Sequence, residues 1–311
     1  MEDILQINNL SVHFLLEDEI VRAVDGASLS IRKNETFALI GESGSGKSVL
    51  GLAVLRLLPR NVHLEGEIIF NRVNLLDLPE EKMRKIRGKQ IAWIPQNPAT
   101  AMNPSLRVGD QIAEPMQLHF GLKKSVALKK VNSLLEYFDI KPAEVRSKEY
   151  PYQYSGGMLQ RALVAMGTST SPELIIADEP TKGVDAIKKQ SIANIFEKIK
   201  QEGKSILLIT HDLAFARKVA DRIAVNYCGQ ILEICDARQF FDSPLHPYSK
   251  ALLNSLPSRG LKPIGGDSPS MIKPPKGCRF HPRCEHVTEQ CLTEPPVKDE
   301  KGNIVRCWLY D

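Results

Sequence analysis

The chain has 311 residues, 42% of them hydrophobic and 25% charged, with a formal net charge of +4. That length is enough for one large buried core plus an appendage, and the proportions sit near the averages for soluble globular domains. The small positive charge permits contact with an anionic membrane surface or with nucleic acid but argues for neither, so no nucleic-acid partner is expected. No stretch is long and apolar enough to cross a bilayer; the best run, Val49 to Leu58, is short and contains Arg56. The chain opens on Glu2 and Asp3, without the basic-then-apolar layout of a secretory signal. A cytosolic protein is therefore expected, with any membrane role exercised through partners.

In chain order, short β-like runs come first: Leu5 to Leu10, Val21 to Ala27 and Ser28 to Ile31. Thr36 to Ile40 is a continuous apolar strand that enters a glycine-rich loop, and Val49 to Leu58 follows as a helix that Pro59 helps to stop. A second apolar strand, Ile91 to Ile94, ends in Pro95-Gln96. From Pro98 to about Tyr154 the chain reads as mainly helical, and Val126 to Phe138 carries apolar residues at helical spacing. The helix Leu159 to Met166, the strand Leu174 to Ala177, the helix Ile187 to Lys200 and the strand Ser205 to Ile209 complete the pattern. Strands alternating with helices predict a mostly parallel, doubly wound α/β sheet with an inserted helical subdomain. After Cys235, seven prolines from Pro244 to Pro275 punctuate a polar segment, which reads as a linker into a small cysteine-stapled tail.

Gly41-Glu42-Ser43-Gly44-Ser45-Gly46-Lys47-Ser48 fits G-x-x-x-x-G-K-S in full. Glycines let backbone N–H groups turn inward around nucleotide phosphates, and the following helix adds its positive N-terminal dipole. Lys47 is expected to reach the β- and γ-phosphates and the Ser48 hydroxyl to ligate Mg²⁺. A chance match would lack the strand before the loop and the helix after it. By itself the motif specifies a nucleoside triphosphate binder.

The strand Leu174 to Ala177 delivers Asp178 and Glu179 at its carboxyl end, the catalytic edge of an open parallel sheet. Asp178 suits Mg²⁺ held through its water shell, and Glu179 suits polarising the attacking water. One acid after a strand is commonly a solvated turn; a pair beside such a loop is much less so. The strand Ser205 to Ile209 ends in Thr210-His211-Asp212, and His211 there could contact the γ-phosphate, while Gln96, just past another strand end, could reach Mg²⁺ or the water.

Cys278, Cys284, Cys291 and Cys307 are separated by five, six and fifteen residues, whereas Cys228 and Cys235 lie in an apolar segment and read as core. In a reducing compartment such a cluster favours metal over disulfides. Four thiolates suit tetrahedral zinc or an iron–sulfur cluster, and the residues alone leave both open.

Tyr154-Ser155-Gly156-Gly157-Met158-Leu159-Gln160-Arg161 resembles the S-G-G signature of ATP-binding cassette proteins, which presents helix N-terminal N–H groups to an anion. The resemblance covers nearly the whole chain in the family's order: Phe14, Gly41 to Ser48, Gln96, Ser155 to Gly157, Asp178, Glu179, Asp185 and His211. It narrows to the branch that energises dipeptide, oligopeptide and nickel importers through Gln96-Asn97-Pro98, Met102-Asn103-Pro104, His246-Pro247-Tyr248 and Gly277-Cys278-Arg279-Phe280-His281-Pro282-Arg283-Cys284. Thr181-Lys182-Gly183-Val184-Asp185 departs from the usual T-T-A-L-D, and Tyr154 and Met158 replace the family's commonest Leu and Gln; no catalytic group is lost.

The resemblance implies a RecA-like nucleotide-binding domain over 1–235, with an antiparallel β subdomain and a helical subdomain at about 98–160. It implies an importer-type extension over 236–311 bearing a four-cysteine site that holds a [4Fe–4S] cluster, with Zn²⁺ as the alternative. It further implies ATP and Mg²⁺ (held by Ser48, Gln96 and Asp178), Phe14 stacking on adenine, and Lys47, Glu179, His211 and Gln96 in catalysis. Partners follow: a second homologous ATP-binding subunit closing head-to-tail, two transmembrane permeases and, indirectly, an extracytoplasmic substrate-binding protein. The expected place is the cytoplasmic face of the membrane and the expected cargo peptide, with nickel or another chelated metal as the alternative. A soluble, non-transport cassette ATPase is the competing class, but such chains usually carry two cassettes or a long coiled coil, and neither is present. A small GTPase would need N-K-x-D, which does not occur.

Overall fold

The strand Asp3–Leu15 buries Ile4, Leu5, Ile7, Leu10 and Val12. Ile7 and Leu10 are three apart, a spacing that would put them on opposite faces of a regular strand. Asn9, at φ +47°, inserts a bulge between them and returns Leu10 to the covered side. The computed structural model to which this strand belongs describes residues 2–184, 186–300 and 302–311. It divides into two units, Met1–Asp77 with Ile209–Asp311, and Leu78–Leu208.

In the first unit, Asp3–Leu15 lies between Ile20–Arg32 and Val62–Phe70 in an antiparallel sheet whose edge is Val73–Asn74. The runs Val21 to Ala27 and Ser28 to Ile31, expected as two strands, are one strand, Ile20–Arg32. Gly26, at φ +68°, takes up the irregularity, and its N–H donates to Ser11 Oγ (3.1 Å), so the turn-like composition does not break the pairing.

The same unit carries Thr36–Ile40, whose side chains are all buried, beside Arg222–Tyr227 in parallel, with Ala38 opposite Ile223. Gln230–Asp236 pairs antiparallel with Arg222–Tyr227, and Asn303–Arg306 and Val297–Glu300 continue the sheet outward. Full burial of residues such as Phe37, Leu39 and Ile40 contributes about 1.5–3 kcal/mol each, which makes this strand a rigid base for the loop that leaves it. The helix after the loop is Lys47–Val54, starting earlier and ending sooner than the pattern predicts. It stops because Arg56 turns to φ +51° and donates to the Leu75 carbonyl (3.1 Å).

The segment after Cys235, read from its prolines as a linker, instead opens with the helices Ala237–Asp242 and Pro247–Asn254. Both are too short to show a period, but each has a cap: Asp236 accepts from the Arg238 N–H and His246 from the Tyr248 N–H, with Pro247 in the first turn.

In the second unit, Ile91–Ile94 and Leu174–Asp178 pair in parallel, with Ile94 opposite Ala177. The expected helical stretch consists of Pro98–Ala101, Val108–Phe120, Lys124–Tyr137 and Ala143–Arg146, followed by Gly156–Thr168. Lys124–Tyr137 buries Ala127, Val131 and Leu135, spaced at i, i+4 and i+8 along one face. The helix foreseen at Ile187 is Ala186–Gln201, and the strand foreseen at Ser205 is Ser205–Thr210, buried throughout.

Candidate functional site

The glycine-rich loop is shaped by what surrounds it. A Cβ on Gly41 would stand 2.1 Å from the Asn226 carbonyl oxygen, and one on Gly46 would stand 1.9 Å from that of Ala23, so neither place admits a side chain. Gly46 also sits at φ +101° and caps the helix Lys47–Val54. Asn226 Nδ2 donates to the Ser45 carbonyl (2.6 Å) and hydroxyl (3.2 Å), and the Gly229 N–H donates to the same carbonyl (2.9 Å). Lys47 is buried, and its Nζ donates to the carbonyls of Gly41 (2.9 Å) and Glu42 (2.8 Å). Ser43 and Gly44 form the exposed tip. A cation held inside a ring of backbone at a helix N-terminus is an anion-binding arrangement.

Phe14 lies half-buried in the antiparallel sheet of this unit, opposite Val21 on one neighbour and Val62 on the other. His211 is exposed immediately after Thr210, and Asp212 caps the next helix by accepting from the Phe215 N–H (3.0 Å).

In the second unit the register places Gln96 and the carboxylates at one sheet edge. Ile94 pairs with Ala177, so Pro95-Gln96 leave their strand beside Asp178-Glu179. Both acids are buried, at 5% and 6% exposure. Glu179 adopts φ +48°, a left-handed conformation that costs a non-glycine residue about 1–3 kcal/mol and is commonly retained at functional sites. The turn behind it is held by the Lys182 N–H donating to the Glu179 carbonyl (3.0 Å).

Ser155 caps the thirteen-residue helix Gly156–Thr168, its Oγ accepting from the Met158 N–H (3.3 Å). Ser155 and Gly156 are exposed, and a Cβ on Gly156 would meet nothing within 4 Å. The chain's own packing therefore does not demand glycine there. Asp185, which the sequence matches to one of the family's motifs, lies outside the described residues.

Cys278, Cys284, Cys291 and Cys307 are free thiols that line one cavity of about 100 Å³ together with His246 and Trp308. The Cys278 N–H donates to the Cys291 carbonyl (2.9 Å), and the His286 N–H points at Cys284 Sγ (3.4 Å). Burial, with the neighbouring Cys307, Cys291 and Cys284 sulfurs, pushes the Cys278 thiol up to about 11. His246 Nδ1 accepts from the Tyr248 N–H, leaving Nε2 without a hydrogen bond of good geometry, although the Arg306 carbonyl lies close enough to act weakly on the ring. Among the described residues, no set of three or more His, Cys, Asp or Glu side chains is arranged to hold a single metal ion. The four cysteines read in the sequence as ligands thus share a cavity without converging on one point. Cys228 and Cys235 are buried and do not line it.

Sequence reasoning missed the supports of the loop. Asn226, Tyr227, Tyr248 and Arg283 all touch the loop or its partners. The only signal was that Tyr248 and Arg283 sit in the two phrases already noted as characteristic, His246-Pro247-Tyr248 and the Cys278 to Cys284 run.

A phosphate-type loop on a buried strand, a carboxylate pair on another and a capped S-G-G helix define a cassette ATPase. The chain belongs to the ABC transporter family, whose profile matches residues 24–182, and it is an ATPase of that family. A second profile, the C-terminal region of oligopeptide/dipeptide transporters, matches residues 232–291. The chain is 40% identical to the dipeptide transport ATP-binding protein DppD of Bacillus subtilis, over 100% of this chain and 96% of that one. It is 39% identical to the oligopeptide transport ATP-binding protein OppD of Salmonella typhimurium, over 98% and 93% of the two chains. Among solved structures it resembles a dimeric post-hydrolysis state of the ATP-binding cassette MJ0796 bound to ADP and Pi, with a TM-score of 0.68 at 25% identity over 75% of this chain and 99% of that one. The fold is accordingly the RecA-like α/β fold of ABC ATPases. Among the described residues, no helix is long and apolar enough to cross a membrane.

Proposed function

We propose that this chain hydrolyses ATP to drive the import of short peptides. It would act at the cytoplasmic face of a membrane, paired head-to-tail with a second homologous ATP-binding subunit and docked on two permease subunits that receive cargo from an extracytoplasmic binding protein. The observation that carries this reading is the buried Lys47 within a glycine-shaped loop, in a chain that aligns end to end with peptide-transport ATP-binding proteins. Neither nickel import nor a soluble non-transport role has a specific observation in its favour.

In this reading residues 1–235 form the cassette, about 98–160 its helical subdomain, and 236–311 the extension. Gly41 to Ser48 surround the phosphates, Lys47 neutralises the charge that develops on them, and Phe14 stacks on adenine. Ser48, Gln96 and Asp178 hold Mg²⁺, Glu179 directs water at the γ-phosphate, and His211 contacts that phosphate. Ser155, Gly156 and Gly157 cap the nucleotide of the partner cassette, and the open space over Gly156 supports a close approach from outside the chain. Asp185 belongs to the same interface. The exposed apolar side chains of the helical stretch, among them Leu118, Phe120, Val145 and Tyr152, support a protein partner on that subdomain.

For the extension we propose a [4Fe–4S] cluster on Cys278, Cys284, Cys291 and Cys307. Zinc needs four sulfurs at about 2.3 Å from one point. Four thiols around one cavity offer the donor set that such a cluster takes. When bound, the cluster would link four distant cysteines and supply one-electron redox chemistry. Cys278 would be held as thiolate despite its raised pKa.

The test is anaerobic purification of the tagged chain from its native membranes in mild detergent, followed by reconstitution of what is retained into vesicles. Recovery of two membrane-spanning subunits and ATP-driven uptake of labelled dipeptide is the expected result. Uptake of nickel alone, or recovery of ribosomal proteins without any membrane subunit, would overturn the peptide-importer reading. Iron and sulfide analysis of the same sample tests the cluster, and zinc without iron would replace it.

A further inference from the structure

The cysteine-bearing extension reaches back to the phosphate-binding loop and grips one residue of it, Glu42. Two groups do this. The Glu42 N–H donates to Tyr248 Oη (3.1 Å), so this loop amide is turned onto a phenol. The Glu42 carboxylate accepts from Arg283 Nη1 (3.0 Å), and the same guanidinium donates to Tyr227 Oη (3.1 Å) and, through Nε, to the Gly265 carbonyl (2.9 Å). The Arg283 side chain is 6% exposed and Glu42 25%, so the pair is far less screened than a surface bridge. Beneath it Tyr227, Tyr248 and Phe280 pack as a buried aromatic cluster, with Tyr227 and Tyr248 centroids 4.5 Å apart and Phe280 edge-on to Tyr227 at 5.4 Å. Arg283 itself lies between Cys278 and Cys284 on the chain, so its position is tied to the walls of the cysteine cavity.

Electrostatics gives the contact a purpose. Glu42 puts a negative charge in a loop that must receive a triphosphate, and an unpaired carboxylate there would repel the ligand. Arg283 cancels that charge, and Tyr248 fixes the amide. The Glu42 carbonyl, in turn, is one of the two that hold Lys47 Nζ.

We propose that Arg283 and Tyr248 are positioning residues of the phosphate-binding loop, through which the extension sets the affinity for ATP. The inference rests on reading Gly41 to Ser48 as the phosphate site and does not require a cluster at the cysteines. It makes the extension a brace on the nucleotide site, so disturbance of residues 278–284 is felt as weaker ATP binding rather than as slower chemistry.

The experiment measures MgATP binding to the full chain by displacement of a fluorescent ATP analogue, with steady-state hydrolysis alongside. R283Q is expected to raise the Kd about 5- to 20-fold, within the range of coupling energies between contacting residues. Its effect on kcat should be small, and R283K should recover part of the loss. The E42Q/R283Q double variant is expected to return to within about threefold of the parent, because removing the carboxylate removes the need for its partner. Y248F, which keeps the ring and its packing, is expected to weaken binding about 2- to 10-fold, the worth of one hydrogen bond. It carries the test if R283Q fails to fold.

Parent-like binding by both R283Q and Y248F overturns the proposal. So does R283Q weakness that E42Q leaves untouched, since that outcome assigns Arg283 to packing alone. K47A separates the two levels of failure. If it too binds MgATP normally, the loop is not the phosphate site; if it loses binding while R283Q and Y248F do not, only the brace is wrong.

Discussion

The ammonium of Lys47 lies 2.9 Å from the carbonyl oxygen of Gly41 and 2.8 Å from that of Glu42. The lysine therefore closes the loop on itself with charge-assisted hydrogen bonds while standing where a phosphate is expected. Lys47→Ala should weaken MgATP binding about 10- to 150-fold, the worth of a hydrogen bond to a charged group. It should also lower stability, since two loop carbonyls lose their donor. Equilibrium binding and urea denaturation of the same preparation read both effects.

Glu179 is held in a left-handed backbone conformation next to Asp178, both buried at the end of one strand. Glu179→Gln keeps size and hydrogen-bonding reach but removes the basic carboxylate. Hydrolysis should fall about 10²- to 10⁴-fold, as for loss of a general base, with little change in the Kd for MgATP. The variant should also accumulate as a dimer in ATP, visible by light scattering. Turnover at the parental rate would remove Glu179 from the chemistry.

Two glycines of the proposed site should respond differently in stability to the same added methyl. At Gly46 a Cβ would lie 1.9 Å from the Ala23 carbonyl oxygen on a backbone at φ +101°. Gly46→Ala should destabilise the chain by about 2–4 kcal/mol, combining strain with overpacking. At Gly156 a Cβ meets nothing within 4 Å, and Gly156→Ala should leave stability within about 0.5 kcal/mol of the parent. Its ATPase activity should nevertheless fall, because the methyl occupies space that a partner's nucleotide needs. Denaturation curves beside ATPase assays distinguish the two.

The four cysteines that line one cavity should act as a unit. Anaerobically purified protein should hold about four irons per chain, and Cys291→Ser or Cys307→Ser should reduce this to below about one, since a cubane missing one ligand is poorly retained. Cys228→Ser should leave iron unchanged, because Cys228 is buried elsewhere, with its thiol directed at the Pro269 carbonyl. Parent-level iron in Cys291→Ser would exclude that residue as a ligand.

Much of this protein was legible from its residues because the information is local. The loop from Gly41 to Ser48 is contiguous and bracketed by a buried strand and a helix; Asp178 ends its strand and Glu179 follows it directly, and Ser155 caps its helix within three residues. Hydrogen-bond donors, glycines and apolar runs over such short spans impose their conformation without help from the rest of the chain. The strand merger at Gly26, the early end of the helix at Val54 and the helices hidden among the prolines after Cys235 were not legible in that way. Each depends on a partner that the local pattern does not name: Ser11, the Leu75 carbonyl and the caps Asp236 and His246.

Only the tertiary structure decided that the tail belongs to the loop. Arg283 and Glu42 are 241 residues apart, and Tyr248 and Glu42 are 206 apart. No periodicity or spacing rule connects positions so distant. Their meeting requires the sheet to bring Arg222–Tyr227 beside Thr36–Ile40, and the tail strand Asn303–Arg306 to pair with Gln230–Asp236 on the far side of Arg222–Tyr227. Sequence alone specified the chemistry a residue can perform; burial, register and the loss of screening on folding determined which of those residues act together.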